Sequence, residues 1–329
     1  MITRRTCTTA MAAIGLGFGL ALAAVGSGHA QPYPSKPVKI ILPYTPGSPN
    51  DVLVRLVAPY LSARLGQPVV VDNRPGGGTT IGAKAVMTAE PDGHTLLFTN
   101  TPTHVIAPLI SKSITFDPIT DFVPVATVGS TILVLVIGPN VPASSVQEFV
   151  AHAKANPGKL NFGFGQGTLP HLVGELFKAT TGADIASIPY RGGAQAVTDL
   201  MGGRIDMNFG ATVTLAPLAR EGKVKALAVT GPERSRDLPE VPTMTEAGLP
   251  NVTTVTYYGL MGPPGMPADV VGRINSEVNE ILKSPDVIAS MQKLGFGSKG
   301  GPPQDFTALL VEQTRKWAPI VKTVGFQME

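Results

Sequence analysis

Cysteine is all but absent: Cys7 is the single one in 329 residues. It lies inside Met1–Ala30, a stretch with the marks of a secretory signal. Arg4 and Arg5 give a basic start, Ala10–Val25 is an unbroken run of apolar residues and glycine, and Gly28-His29-Ala30 ends in small residues suited to cleavage. The exported chain would therefore carry no thiol, which excludes disulfides, thiolate metal sites and a cysteine nucleophile together. Charge is scarce as well, at 15% of residues, and it is balanced. Removing the signal leaves 24 basic against 23 acidic residues, no electrostatic case for nucleic acid or a membrane surface. The apolar run at the start falls short of the roughly 18 residues a membrane span needs, and no later run is long enough. His94, His104, His152 and His171 are scattered without an H-E-x-x-H spacing, so neither a metal nor a cofactor is expected. There is no G-x-S-x-G elbow and no complete P-loop. The Arg4-Arg5 pair hints at twin-arginine export, but Thr6-Cys7-Thr8 fits that signal poorly, and the route stays open.

Glycine and proline are plentiful, and they punctuate an alternation of short strands and helices. Strands are expected over Val38–Leu42, Gln67–Val71, Thr95–Phe98, Val125–Val128 and Ile132–Ile137. Between them lie a helix over Asp51–Leu65, capped by Asn50 or Asp51 and kinked or split by Pro59, and a small-residue helix over Thr80–Ala89. Strand–turn–helix repeated in this way indicates parallel pairing in an α/β layer. Gly138-Pro139 and Pro142 mark a crossing into a second lobe. There, helices are expected over Ser145–Asn156, Gly192–Met201 and Leu215–Glu221, and strands over Asp184–Pro189, Ile205–Phe209 and Lys225–Val229. Val252–Leu260 is long enough to travel back, and the remainder is helical. This assigns residues 31–133 and 255–329 to one lobe and 134–254 to the other, joined by two hinge-crossing strands. The ligand is expected in the cleft between the lobes.

Leu160–Phe177 carries the most chemical information. It reads as a strand, a turn containing Gly165 and Gly167, and a helix opening near Thr168 or Pro170. A glycine turn feeding a helix start leaves backbone N–H groups unpaired at the positive end of the dipole, an anion receptor without a charged side chain. The bland alternative is a tight turn and nothing more. A sharper one is a dinucleotide fingerprint over Gly163–Thr168, with Asp184 as its acidic partner, although Thr168 stands where the last glycine belongs.

Taken in order, several motifs resemble one family. They are Tyr33-Pro-Ser-Lys-Pro37, Pro43-Tyr-Thr-Pro-Gly47 with Asp51, Leu65-Gly-Gln-Pro-Val-Val-Val71, Asn73-Arg-Pro-Gly-Gly-Gly78, Pro91-Asp-Gly93, Gly174-Glu-Leu-Phe177, Ile188-Pro-Tyr-Arg-Gly192 and Glu246-Ala-Gly-Leu-Pro250. In combination the chain resembles the Bug-type periplasmic solute-binding proteins of tripartite tricarboxylate transporters. The resemblance implies a two-lobed, type II Venus-flytrap fold and a periplasmic, monomeric protein without enzymatic activity. It would hand a small organic carboxylate (a di- or tricarboxylate or an aromatic acid) to the transporter's membrane components. It also implies that Pro46, Gly47, Ser48 and Asp51 belong to a first-lobe turn holding one carboxylate. Gly165, Gln166, Gly167, Thr168 and His171 would grip from the second lobe, with Tyr190, Arg191 and Gly192 as its other wall. Tyr44, Arg74, Thr101 and Gly210 complete the candidate set. His171 divides between donor and packing, Arg74 between ion pair and ligand contact, and Arg191 between bidentate anion contact and plain surface. Two departures bear on the ligand: Ser48 replaces the family's usual second glycine, and Gly210 replaces a common acidic residue. The competing readings are an exported enzyme, either a hydrolase or a dinucleotide-dependent oxidoreductase using the Gly163–Thr168 turn, and a binder that serves a receptor instead of a transporter.

Overall fold

Two runs of parallel strands, each backed by helices, are joined through long antiparallel strands. In the first, β1 (Val38–Leu42) lies between β2 (Val69–Asn73) and β3 (Thr95–Asn100), with Ile40 opposite both Val71 and Leu96. In the second, β5 (Leu160–Gly165) pairs with β6 (Ile185–Tyr190) along its whole length and touches β7 (Met207–Ala211) at Phe162 and Met207. The link is β4 (Val123–Ile137), which pairs antiparallel with β9 (Val255–Gly262) up to Ile132 and with β7 and β8 (Lys225–Val229) from Leu133 onward. The main path is β2-β1-β3-β9-β4-β7-β5-β6, with β8 and the short β10 (Gly297–Ser298) added against β4. In this computed structural model the described residues are 33–324, except 112, 113, 115, 166, 167 and 191. The chain divides into two units after Ser35. Of the first, only 33–35 are described, and the signal-like stretch lies outside the described residues.

The helices are α1 (Pro49–Leu65), α2 (Thr80–Met87), α3 (Ala107–Ile110, after a π-helical turn at Pro102–Ile106), α4 (Val146–Ala155), α5 (Leu169–Thr181), α6 (Gly193–Met201), α7 (Thr212–Arg220), α8 (Ala268–Lys283), α9 (Pro285–Lys293) and α10 (Pro303–Val324). Several ends are set by simple chemistry. Ser48, not Asn50 or Asp51, caps α1, its Oγ accepting from the Asp51 N–H at 3.3 Å, and Gly66 closes the helix at φ 70°. Of the two outcomes expected at Pro59, the split does not occur: α1 runs unbroken for 17 residues. Gly182, at φ 65°, ends α5 in the same left-handed way.

The expected pair of strands at 125–128 and 132–137 is one strand of 15 residues. Gly129 does not break it, because a Cβ there would lie 2.8 Å from the Gly297 carbonyl oxygen, so glycine serves the approach of β10. Beyond Ile132, alternate β4 residues serve two cores. Leu133, Leu135 and Ile137 join Phe149, Phe162, Phe177 and Phe209 on one face, and Val134 and Val136 join Leu200, Ile205 and Leu215 on the other. The two crossings are clasped by buried Thr230. Its Oγ1 accepts from the Leu133 N–H at 2.9 Å and donates to the Thr254 carbonyl at 2.8 Å.

Candidate functional site

Helix starts from both halves of the sheet converge on one cavity of about 640 Å³. Its wall includes Pro49 and Asn50 from the first turn of α1, Thr168 before α5 with Leu169 and Pro170 in it, Gly193 and Ala194 from α6, and Ala211 before α7 with Thr214 in it. Thr79, the residue before α2, is there as well. Thr79 is the only non-glycine among the described residues with a positive φ, 80°, a costly conformation for a β-branched side chain. The first N–H groups of a helix have no intrahelical partner, and each helix start carries roughly half a positive charge. Yet the described wall contains no Asp, Glu, Lys, Arg or His. Its polar side chains are Tyr, Asn, Thr and Ser, and its apolar ones include Ile110, Ile114, Leu133, Leu169, Val197 and Leu215.

A hydrogen-bonded chain stiffens the α1 side of the wall. The Tyr44 hydroxyl bonds the Thr103 hydroxyl, the Thr103 N–H donates to Asn100 Oδ1 at 3.0 Å, and Asn100 Nδ2 donates to Asn50 Oδ1 at 3.1 Å. Desolvation pushes the Tyr44 hydroxyl up to about 12, which keeps it neutral beside the cavity. Opposite, Asn208 Nδ2 donates to the Gly163 carbonyl at 2.7 Å, leaving Oδ1 without a partner among the described residues.

Of the sequence candidates, Tyr44, Gly165, Thr168 and Gly210 line the cavity. Thr168 precedes α5 as expected, but its hydroxyl donates to the Gly165 carbonyl at 2.7 Å and does not cap the helix. Pro46, Gly47, Ser48 and Asp51 stand behind the wall. The Gly47 N–H is already engaged, donating to Asp51 Oδ2 at 3.0 Å, while Asp51 Oδ1 takes Arg55 and Asn73, each at 2.9 Å. These bonds outweigh burial and hold the Asp51 carboxyl below the usual carboxylate range. That carboxylate is an internal clamp on the turn. Arg74 pairs with Asp72 at 2.9 Å and is half exposed, away from the cavity. Thr101 is buried and accepts from the Tyr257 N–H at 3.3 Å. His171 stacks on Phe164 with ring centroids 3.6 Å apart, and burial depresses its pKa to about 4, so it sits in the packing as a neutral ring. The Tyr190 hydroxyl donates to Asp199 at 2.8 Å, and Gly192 precedes α6 without lining the cavity. Gln166, Gly167 and Arg191 lie outside the described residues. Residue-level reading did not reach Asn50, Asn100, Thr103 and Asn208 as wall residues. Asn50 looked like a cap, and the other three carry a signal only once three-dimensional pairing is known.

The dinucleotide reading loses its geometry here. Gly163 lies within β5, where a Cβ would come 2.2 Å from Ile205 Cδ1, so it answers to packing and not to a phosphate turn.

An α/β fold with helix starts from both ends of its sheet facing one cavity is that of a solute-binding receptor. The profile of the tripartite tricarboxylate transporter family receptor (TctC) matches residues 53–326, and the chain belongs to that family, which binds solutes and is not enzymatic. Protein BugT of Bordetella pertussis (strain Tohama I) is 34% identical over 302 residues, covering 91% of this chain and 93% of its own. Among solved structures, R. palustris Rpa4515 with adipate superposes with a TM-score of 0.81 at 32% identity, covering 90% of this chain and 99% of that one. MatC from Rhodopseudomonas palustris with bound malate gives 0.76 at 30% identity, covering 88% and 100%. No helix among the described residues is long and apolar enough to cross a membrane.

Proposed function

We propose that this receptor is exported, loses residues 1–30, and works in the periplasm as a monomer that captures a small organic acid in the 640 Å³ cavity. It then delivers the acid to the membrane components of a tripartite transporter. The carrying observation is the meeting of helix starts in a cavity whose described wall has no charged side chain. Dipoles and N–H groups in a desolvated cleft favour an anion there. Residues 31–133 with 255–329, and 134–254, would act as two lobes closing on the ligand about the strand crossings that Thr230 clasps, so that closure and binding are coupled. The wall also favours one kind of acid. Its helix starts can offset one or two negative charges, none of the described side chains offsets a third, and apolar groups occupy much of the surface. A dicarboxylate with a methylene body or an aromatic acid suits it better than a tricarboxylate. Adipate and malate in the two related structures support the reading.

A thermal-shift panel of malate, succinate, adipate, benzoate and citrate on the exported form tests this. An acid at 100 times its dissociation constant should add about 2.7 kcal/mol, a rise of roughly 4–5 °C. A cooperatively folded protein whose melting temperature no acid moves would sink the proposal.

A further inference from the structure

The orientation of one side-chain amide in the cavity wall is fixed by its neighbours, and it follows without reference to any ligand. A backbone N–H can only donate. The Thr103 N–H, 3.0 Å from the Asn100 side chain, therefore faces the amide oxygen of Asn100. Asn100 then presents its NH2 group to Asn50 at 3.1 Å, and the atom of Asn50 that receives it must be the oxygen. Both amides are buried, Asn50 at 5% and Asn100 at 7% exposure, so neither rotates cheaply. What remains of Asn50 is an NH2 group with no partner among the described residues. It sits in the first turn of α1, in the cavity wall, where Pro49 carries no N–H and the Asp51 N–H already serves Ser48 Oγ. Gly47, the backbone donor that the turn would otherwise offer, is spent on Asp51.

We infer that Asn50 is the side-chain donor that takes the ligand's carboxylate on the α1 side, and that Asn100 is the residue that positions it. The inference rests on the proposal that the cavity binds an organic acid. It assigns the neutral NH2 of Asn50, reinforced by the positive end of α1, the work that an arginine or lysine does in other anion sites. Asn100 has no need to touch the acid. It holds the Asn50 oxygen away from the anion, where a flipped amide would repel it.

Two variants separate this role from a structural one. Asn50→Asp keeps the oxygen that accepts from Asn100; the helix dipole favours its charge while burial beside the Asp51 carboxylate opposes it, so the melting temperature of the apo protein is measured first to establish that the variant folds. The group facing the cavity changes from donor to anion. Isothermal titration with the tightest-binding acid of the panel above should show affinity weakened about 100-fold or more. Asn50→Ala should weaken it about 10-fold. In 15N spectra of the wild type, the side-chain NH2 pair assigned to Asn50, by its absence from the alanine variant, should shift on titration of the same acid. Folded variants that bind within twofold of wild type, or an Asn50 amide signal unmoved at saturation, would overturn the assignment and leave the receptor proposal standing. Wild type that binds none of the acids overturns both.

Discussion

At the residue scale, local preference and tertiary packing can be weighed against each other at Gly174. It sits inside α5, where alanine is the better helix former by about 1 kcal/mol. A Cβ at that position would lie 1.9 Å from Phe162 Cζ, and Phe162 is fully buried against Phe164 and Phe209. The ring cannot retreat, so overpacking of about 1–3 kcal/mol or more should prevail over the gain in propensity. Gly174→Ala is expected to lower the urea midpoint, and a variant as stable as wild type would show that the aromatic cluster relaxes freely. In the sequence this glycine is one letter of a family-like motif, and nothing local reveals that a ring from β5 lies over it. Asn50 is the same kind of case. Its position at a helix start is legible, but the direction of its amide depends on Thr103 and Asn100, more than 40 positions away.

At the element scale, β4 sets the architecture. Fifteen residues of mostly β-branched and apolar character cross from one half of the sheet to the other, changing partner from β9 to β7 and β8 between Ile132 and Leu133. Thr230 clasps that crossing to the returning strand through one hydroxyl that accepts once and donates once. Thr230→Val keeps the shape and removes both bonds, leaving the buried Leu133 N–H without its acceptor. A loss of about 1–3 kcal/mol is expected by urea denaturation. If the crossings also form the hinge, the variant should change the ligand's dissociation constant although Thr230 itself is not in the cavity wall. An unaltered midpoint together with unaltered affinity would remove Thr230 from both roles. The helices were legible at this scale because caps and apolar spacing are local. The single long strand was not, since Gly129-Ser130-Thr131 reads as a break until β10 is seen to need the glycine.

On the scale of the whole molecule, acid should begin to weaken the fold above the range in which carboxylates titrate. His104 is buried, its Nδ1 bonding the Pro118 carbonyl at 2.8 Å and its ring edge-on to Phe122, and burial depresses its pKa to about 4. Buried His171 is depressed to about 4 as well. The unfolded chain therefore takes up these protons first, between about pH 6.5 and 4. Stability should be full above that window and fall through it, by about 1.4 kcal/mol per pH unit for each histidine. Urea midpoints measured from pH 7 to pH 4.5 check this, with His104→Gln giving a shallower slope. A midpoint level across that range would mean that the histidines protonate in the folded state without cost.

The sequence alone determined the α/β alternation, the export signal as an expectation, the near-absence of thiols, and the kinship, because these rest on local patterns and on composition. It also located the helix start after Thr168, with anion binding there as an expectation. Tertiary structure decided which candidate groups are already spent: the Gly47 N–H on Asp51, the His171 ring on Phe164, the Tyr190 hydroxyl on Asp199. Tertiary structure also brought Asn50, Asn208 and the starts of α1, α5, α6 and α7 around one cavity. The physical reason is that a hydrogen-bonding group has few partners to give. Whether it is available to a ligand depends on what folds against it, and that is a property of distant residues brought together.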